Sequence, residues 1–215
     1  MTSQRHSDAV APVTRVPANR VDDDALLDAA RECVLAVGVR RTTLTDVARR
    51  AGVSRMTLYR RFPDVRTLVA GLMTREFGAL LNIAAASVPA GASARERLVT
   101  GAVAAVRRLM ADPLLRTVLD IDPELLLPYL VERVGSTQRL AEQFLREQVT
   151  AGHADGSVRA SDPAAQARLL FLTTQSVVLS QRPACSDGIA VEKLLAELTH
   201  QLDAALRPDP EEGRR

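Results

Sequence analysis

Residues 36–66 concentrate a chemistry that the rest of the chain lacks. Arg40, Arg41, Arg49, Arg50, Arg55, Arg60, Arg61 and Arg66 stand there against two acids, Asp46 and Asp64. That is a local charge of +6 on a chain whose net charge is +2, so the remainder sums to −4. A compact positive patch on a nearly neutral chain suits a polyanion, although a solvated basic face would carry the same charges. The residue types crowded into 55–61 narrow the choice. Arginine can grip guanine O6 and N7 with two hydrogen bonds, and methionine can pack on a thymine methyl. Threonine and tyrosine hydroxyls can donate to phosphates.

Such side chains read DNA only if a helix holds them at the right angle. The stretch Thr43-Leu44-Thr45-Asp46-Val47-Ala48-Arg49-Arg50-Ala51-Gly52-Val53-Ser54-Arg55-Met56-Thr57-Leu58-Tyr59-Arg60-Arg61-Phe62 has the spacing of a helix-turn-helix. Two short helices are expected near 44–51 and 55–61. Ala48 supplies the small residue where the helices cross, and Gly52 tolerates the positive φ of the turn. Val47, Ala51, Val53, Leu58 and Phe62 supply the inward apolar contacts. On a wheel of 100° per residue, Leu58 and Phe62 point inward and Met56 and Arg60 point away. Thr57 and Tyr59 flank them, Arg55 lies at the N-terminus and Arg61 at the edge. A recognition helix presents this assortment to the major groove.

Thr42-Thr43-Leu44-Thr45-Asp46-Val47-Ala48, Gly52-Val53-Ser54, Thr57-Leu58-Tyr59 and Phe62 together resemble the DNA-binding segment of TetR-family transcriptional repressors. The likeness covers about residues 23–75; beyond it only the all-helical architecture and the Ala154-Asp155-Gly156-Ser157-Val158-Arg159 turn are similar. The resemblance implies a homodimer, a palindromic double-stranded DNA operator and a C-terminal core that holds a small-molecule effector. It also implies that Thr43 and Tyr59 hold phosphates, while Thr45, Arg55, Met56, Thr57, Arg60 and Arg61 face bases or nearby phosphates. Three positions depart from the family. It usually has a small residue or Pro where Met56 stands, and His or Tyr where Arg61 stands. It usually has a phosphate-gripping Lys after the Phe, where this chain has Pro63-Asp64-Val65; Arg66 is the expected substitute.

Composition sets the frame around this segment. The chain has 215 residues, 47% hydrophobic and 25% charged, with six aromatic residues. A core of Ala, Leu and Val suits helix packed on helix, and no segment alternates with period two. The expected fold is all-α with about nine helices. The first starts near Asp22–Asp24 and carries an apolar stripe of Leu26, Ala29, Ala30, Cys33, Val34 and Val37, with Gly38 as terminator. Residues 1–21 and 207–215 read as flexible ends. Residues 22–70 read as the DNA-binding domain and 71–206 as the effector-binding and dimerisation domain.

Other features bound the function. No run of apolar residues is long enough for a membrane span, and two cysteines, Cys33 and Cys185, suit a reducing, cytoplasmic setting. Cys33 reads as a core residue; Cys185, in a loop, also allows a redox role. His6, His153 and His200 lack metal-ligand spacing, and neither a dinucleotide loop nor a P-loop occurs, so no metal or cofactor is expected. His153, in a turn from Gly152 to Gly156, reads as a surface residue. His153, Asp155 and Ser157 do not make a catalytic triad by adjacency alone, and no enzyme is expected. Asp-Pro at 112–113, 122–123 and 162–163 each fits a helix start capped by its own Asp. The helix after Asp122 is expected to run to about Thr150, bent or restarted at Pro128.

Segments 163–182 and 188–206 carry apolar surface that a second copy could cover as a four-helix bundle, with Leu198 and Leu202 at the contact. The last helix carries Val191, Leu194, Leu195, Leu198, Leu202 and Ala205 on one face. Thr173, Thr174, Gln175 and Ser176 interrupt an apolar helix. They either bond their own backbone or a facing helix, or line a cavity or interface. An effector pocket is expected among Phe77, Leu81, Val106, Met110, Tyr129, Phe144, Phe171 and Gln175. The alternatives to a DNA-binding regulator are a helical protein-interaction module and a helical enzyme acting on a small molecule.

Overall fold

The computed structural model describes residues 23–86, 91–132 and 134–208, apart from the side chain of residue 85. The expected N-terminal tail and nearly all of the C-terminal one lie outside these residues. The described residues are helical and contain no strand. In chain order the helices are α1 Asp23–Val37, α2 Leu44–Arg50, α3 Arg55–Arg61, α4 Val65–Ala86, α5 Ala94–Ala111 and α6 Pro113–Ile121. A 3-10 turn at Pro123–Leu126 follows, then α7 Leu127–Val131, α8 Ser136–Ala154, α9 Pro163–Leu179, α10 Gln181–Ala184 and α11 Val191–Leu206.

Among the described residues, eleven α-helices replace the expected nine. The helix foreseen from Asp122 to about Thr150 is broken. Pro128 sits in the first turn of α7, where its missing N–H costs nothing. A second break, at Gly135, was not foreseen. A Cβ at Gly135 would stand 3.0 Å from the Tyr129 ring, and its amide donates to Gln138 Oε1 at 2.7 Å. The short α10 accounts for the other additional helix.

Two cores organise the chain. The first joins α1, α2, α3 and the start of α4 through Leu26, Ala30, Val34, Val47, Leu58, Leu68 and Leu72. Leu114 and Val118 of α6 complete it. The second gathers Leu98, Val106, Met110, Leu145, Val149, Leu170, Leu195, Leu198, Leu202 and Leu206 from α5, α8, α9 and α11. Leu115 of α6 belongs to this second core. Helix α4 links the two, with Leu72 in the first and Phe77 against the second.

The apolar stripe of α11 packs on α5, so Leu198 and Leu202 are buried within their own chain. This corrects the expectation that they face a second copy. A glutamate at either would attack the core. Ala205 is exposed, and Leu206 takes the inward position instead.

The Asp155–Arg159 turn ties four helices together. Asp155 accepts from the Ala94 amide at 2.9 Å and Ser157 Oγ accepts from the Arg95 amide at 3.1 Å, so both cap the start of α5. Ser93 and Glu96 complete a capping box there. The Arg159 amide reaches the Leu206 carbonyl at 2.9 Å, and Arg95 pairs with Asp203 at 2.6 Å. Helix α8 runs through Gly152, where a Cβ would overlap Val158. His153 is therefore helical and half-buried, not a plain surface residue. Its Nε2 lies 2.8 Å from Oε1 of the buried Gln166.

The Ser157 hydroxyl and the Ala94 amide hold the Asp155 carboxyl below its ordinary value. A carboxylate with a depressed pKa stabilises the fold above the unfolded-state pKa of about 3.9, and the contribution fades as pH falls through the folded value. Asp155→Asn will therefore lower the urea midpoint near neutral pH, and the difference from wild type will shrink as the pH falls below about 4. Urea melts across that range check this; a difference independent of pH would contradict it.

Candidate nucleic-acid interface

The helix-turn-helix forms where its residues dictate. Thr43 caps α2, accepting from the Asp46 amide at 3.1 Å and donating to Asp46 Oδ2 at 2.6 Å. Ser54 caps α3, accepting from the Thr57 amide at 3.1 Å. Between them Gly52 adopts φ +66°, and the Val53 amide closes the turn on the Ala48 carbonyl at 3.0 Å. Val47, Ala48 and Leu58 are fully buried, while Ala51, Val53 and Phe62 pack from the rim.

Burying Leu58 turns the opposite side of α3 outward. Met56 is 76% exposed and Tyr59 47% exposed. With Thr57 and Arg60 they line a surface hollow of about 400 Å³. Arg55, Arg60, Arg61 and Arg66 are exposed. Thr57 is half-buried, with its hydroxyl 2.8 Å from Ser54 Oγ. Thr43 is exposed at the start of α2 and Thr45, two residues on, is half-buried. A methionine as exposed as Met56 has no core to serve, so its apolar surface is available to a partner.

Ion pairing redistributes the arginine cluster. Arg40 pairs with Glu124 at 2.5 Å, Arg49 with Asp46 at 2.6 Å, Arg50 with Glu32 at 2.6 Å and Arg61 with Asp23 at 3.0 Å. Arg41 donates to the Val37 carbonyl at 3.1 Å. Among the described residues, Arg55 and Arg60 have no carboxylate partner. Arg41 and Arg66 likewise make no ion pair among these residues, so the uncompensated charge is shared between α3, the α1–α2 turn and the start of α4. Composition alone could not show this, because Asp23, Glu32 and Glu124 lie outside the arginine-rich segment.

The second half holds the remaining expected residues. Val106 and Met110 are fully buried in the second core. Phe77, Leu81, Tyr129, Phe144, Phe171 and Gln175 are half-buried. Gln138 Nε2 donates to Gln175 Oε1 at 2.6 Å and to the Tyr129 carbonyl at 3.0 Å. Thr74 of α4 meets Ser136 of α8 at 2.9 Å. A polar seam therefore runs between α4, α8 and α9, with Tyr129 joined to it through its carbonyl. Thr173, Thr174 and Ser176 donate to carbonyls of their own helix. Cys33 is buried, which pushes its thiol pKa up, and Cys185 is half-buried; both are free thiols.

Asp122 departs from its expected role. Asp112 and Asp162 cap their own helices, accepting from Leu115 at 2.8 Å and Ala165 at 2.6 Å. Asp122 makes no such bond to the 3-10 turn it precedes. Its carboxylate points at the turn between α1 and α2. Asp120 instead pairs with Arg182.

Residues 26–72 match the family model described as bacterial regulatory proteins, tetR family. An HTH-type transcriptional regulator of Mycobacterium bovis is 39% identical over 182 residues, which cover 84% of this chain and 92% of the relative. The fold is similar to that of the transcriptional regulator FadR from Bacillus subtilis in complex with stearoyl-CoA, with a TM-score of 0.63 at 19% identity over 86% of this chain and all of the other. It is also similar to the SmeT–triclosan complex, with a TM-score of 0.58 at 21% identity over 87% and 92%. The chain belongs to the TetR family of bacterial transcriptional regulators.

Proposed function

We propose that this regulator is a cytoplasmic repressor that binds a palindromic operator as a homodimer and leaves it when a small apolar effector binds. The outward face of α3 carries this reading: Met56 and Arg60 project opposite the buried Leu58, with the exposed Tyr59 flanking them. In this reading residues 22–70 dock on DNA and residues 71–206 dimerise and hold the effector. Arg60 and Met56 meet base edges, with Arg55, Thr57 and Arg61 beside them. Thr43, Tyr59 and Arg66 hold phosphates, and Thr45 faces the groove from α2. Arg61 must exchange Asp23 for DNA, a small cost for a solvent-exposed pair.

The effector site in this reading lies along the polar seam, among Phe77, Leu81, Tyr129, Phe144, Phe171 and Gln175, with Val106 and Met110 at its floor. The FadR and SmeT complexes, which hold stearoyl-CoA and triclosan, support an apolar guest by analogy of fold. Release is a population shift: a ligand favouring a conformation with wrongly spaced recognition helices weakens DNA binding by the same factor that DNA weakens it. Among the described residues of the second half, the triad-like set His153, Asp155 and Ser157 is committed to structure. His153 faces Gln166, while Asp155 and Ser157 are engaged as helix caps.

The proposed dimer uses the outer faces of α9 and α11. Leu169 is 65% exposed and Leu172 48% exposed on α9, and Ala196, His200 and Ala204 are exposed on α11. Paired across a two-fold axis, these faces form a four-helix bundle.

Three outcomes are expected. Arg60→Ala will cost about 1–3 kcal/mol on the operator and relax sequence preference, while Tyr59→Phe will weaken all DNA alike. Fluorescence anisotropy with operator and random duplexes decides; equal losses from Arg60→Ala on both would remove α3 from the groove. Leu169→Glu combined with Leu172→Glu will give folded monomers by light scattering and circular dichroism, whereas a monomeric wild type at micromolar concentration would end the dimer proposal. In a thermal-shift screen that starts with stearoyl-CoA and triclosan, an effector will raise the melting temperature and release operator DNA over one concentration range. Stabilising compounds that all leave the DNA complex intact would point to a constitutive repressor.

A further inference from the structure

Asp122 sits at the junction of α6 and the 3-10 turn, with 1% of its surface exposed. A buried carboxylate needs partners, since an unpaired one costs several kcal/mol. Its partners come from 83 residues away. Oδ2 accepts from the Val39 amide at 2.6 Å and from the Arg40 amide at 3.3 Å. The Arg40 side chain leans over the same group, with Nε 3.7 Å from Oδ1, and continues to Glu124 at 2.5 Å.

The turn that receives this carboxylate is shaped to admit it. Gly38 adopts φ +81°, and a Cβ there would stand 2.9 Å from Asp122 Oδ2 and 2.8 Å from Ile121 Cγ2. On the far side, Thr42 Oγ1 donates to the Gly38 carbonyl at 2.7 Å, and the Thr42 amide donates to the Val39 carbonyl at 3.1 Å. Residues 38–42 are thus clamped from both sides immediately before Thr43, which caps α2. The internal packing of the helix-turn-helix does not need this clamp, because Val47, Ala48, Leu58, Leu68 and Leu72 hold α1–α4 together. What the clamp adds is attachment. It fastens the helix-turn-helix to α6, whose Leu115 is buried in the second core.

We propose that Asp122 is a positioning residue for operator binding: its carboxylate locks the α1–α2 turn to the C-terminal body and thereby sets the separation of the two recognition helices. This rests on the dimeric DNA-binding reading above. Without the carboxylate, each helix-turn-helix stays folded and keeps the apolar contact of Leu114 and Val118, but that contact is non-directional and lets the domain slide on α6. A single half-site is then read as before, and two half-sites at fixed spacing are not.

The test compares a duplex carrying both operator half-sites, mapped by footprinting upstream DNA, with a duplex in which one half-site is scrambled. Wild-type protein binds the complete operator more tightly. Asp122→Ala will lower the ratio of the two affinities by about tenfold or more and change single-half-site affinity by less than about twofold. Circular dichroism and thermal melts establish that the variant is folded. If it is not, Asp122→Asn replaces it. The amide keeps an acceptor but loses the charge that strengthens the bond and attracts Arg40, and the ratio will fall by about threefold. An unchanged ratio in a folded variant overturns the assignment, as does an equal loss on both duplexes. A wild type with no preference for the complete operator counts against the dimeric reading instead.

Discussion

Helix α6 faces two cores at once, and the arrangement of the molecule depends on that double commitment. Leu114 and Val118, four residues apart, bury into the N-terminal core, and Leu115 turns into the C-terminal one. Nine residues thus serve both halves of the chain. The Asp122 carboxylate at the end of α6 adds a directional bond to this apolar contact. Burial alone is non-directional and tolerates sliding; two amides converging on one buried oxygen do not. Together with the continuous α4, this gives the helix-turn-helix two attachments to the body instead of one hinge.

The electrostatics of the DNA-facing end follow from the same placement. Acids on α1 and the 3-10 turn take up Arg61, Arg50 and Arg40, and Asp46 takes up Arg49. These exposed pairs contribute little to stability. Their larger effect is spatial, since they mute part of the cluster while Arg41, Arg55, Arg60 and Arg66 make no ion pair among the described residues. Two of these four stand on α3, beside the side chains that can distinguish bases. The hollow formed by Met56, Thr57, Tyr59 and Arg60 completes that surface with one apolar and three hydrogen-bonding groups.

Local chemistry was legible in the sequence wherever the partners lie within a few residues. Gly52 and the apolar pair Val47 and Leu58 located α2, the turn and α3, because apolar spacing and a positive φ are decided at short range. The Ser93–Glu96 capping box fixes the start of α5 at equally short range. Asp112, Asp122 and Asp162 show where this ends. All three precede proline, two cap their own helices, and Asp122 does not, because its partners are 83 residues distant. The stripe on α11 tells a similar story. Its spacing marks Leu195, Leu198 and Leu202 as buried, yet periodicity cannot say whether α5 or a second chain covers them. The close approach of the Tyr129 ring to Gly135, at the start of α8, is a contact and not a composition.

If Asp122 anchors the α1–α2 turn as described, that turn is held to the body as firmly as either core. Native-state hydrogen exchange at the Val39 amide tests this most directly, because that N–H is the one the Asp122 carboxylate accepts. Amides in exposed turns exchange through small fluctuations, with opening free energies near zero, whereas amides at the centre of a cooperative unit open only with global unfolding. Val39 will exchange with the same denaturant dependence as core amides of α1 and α5. Exchange through a local opening that is insensitive to denaturant, while those core amides stay protected, would contradict it.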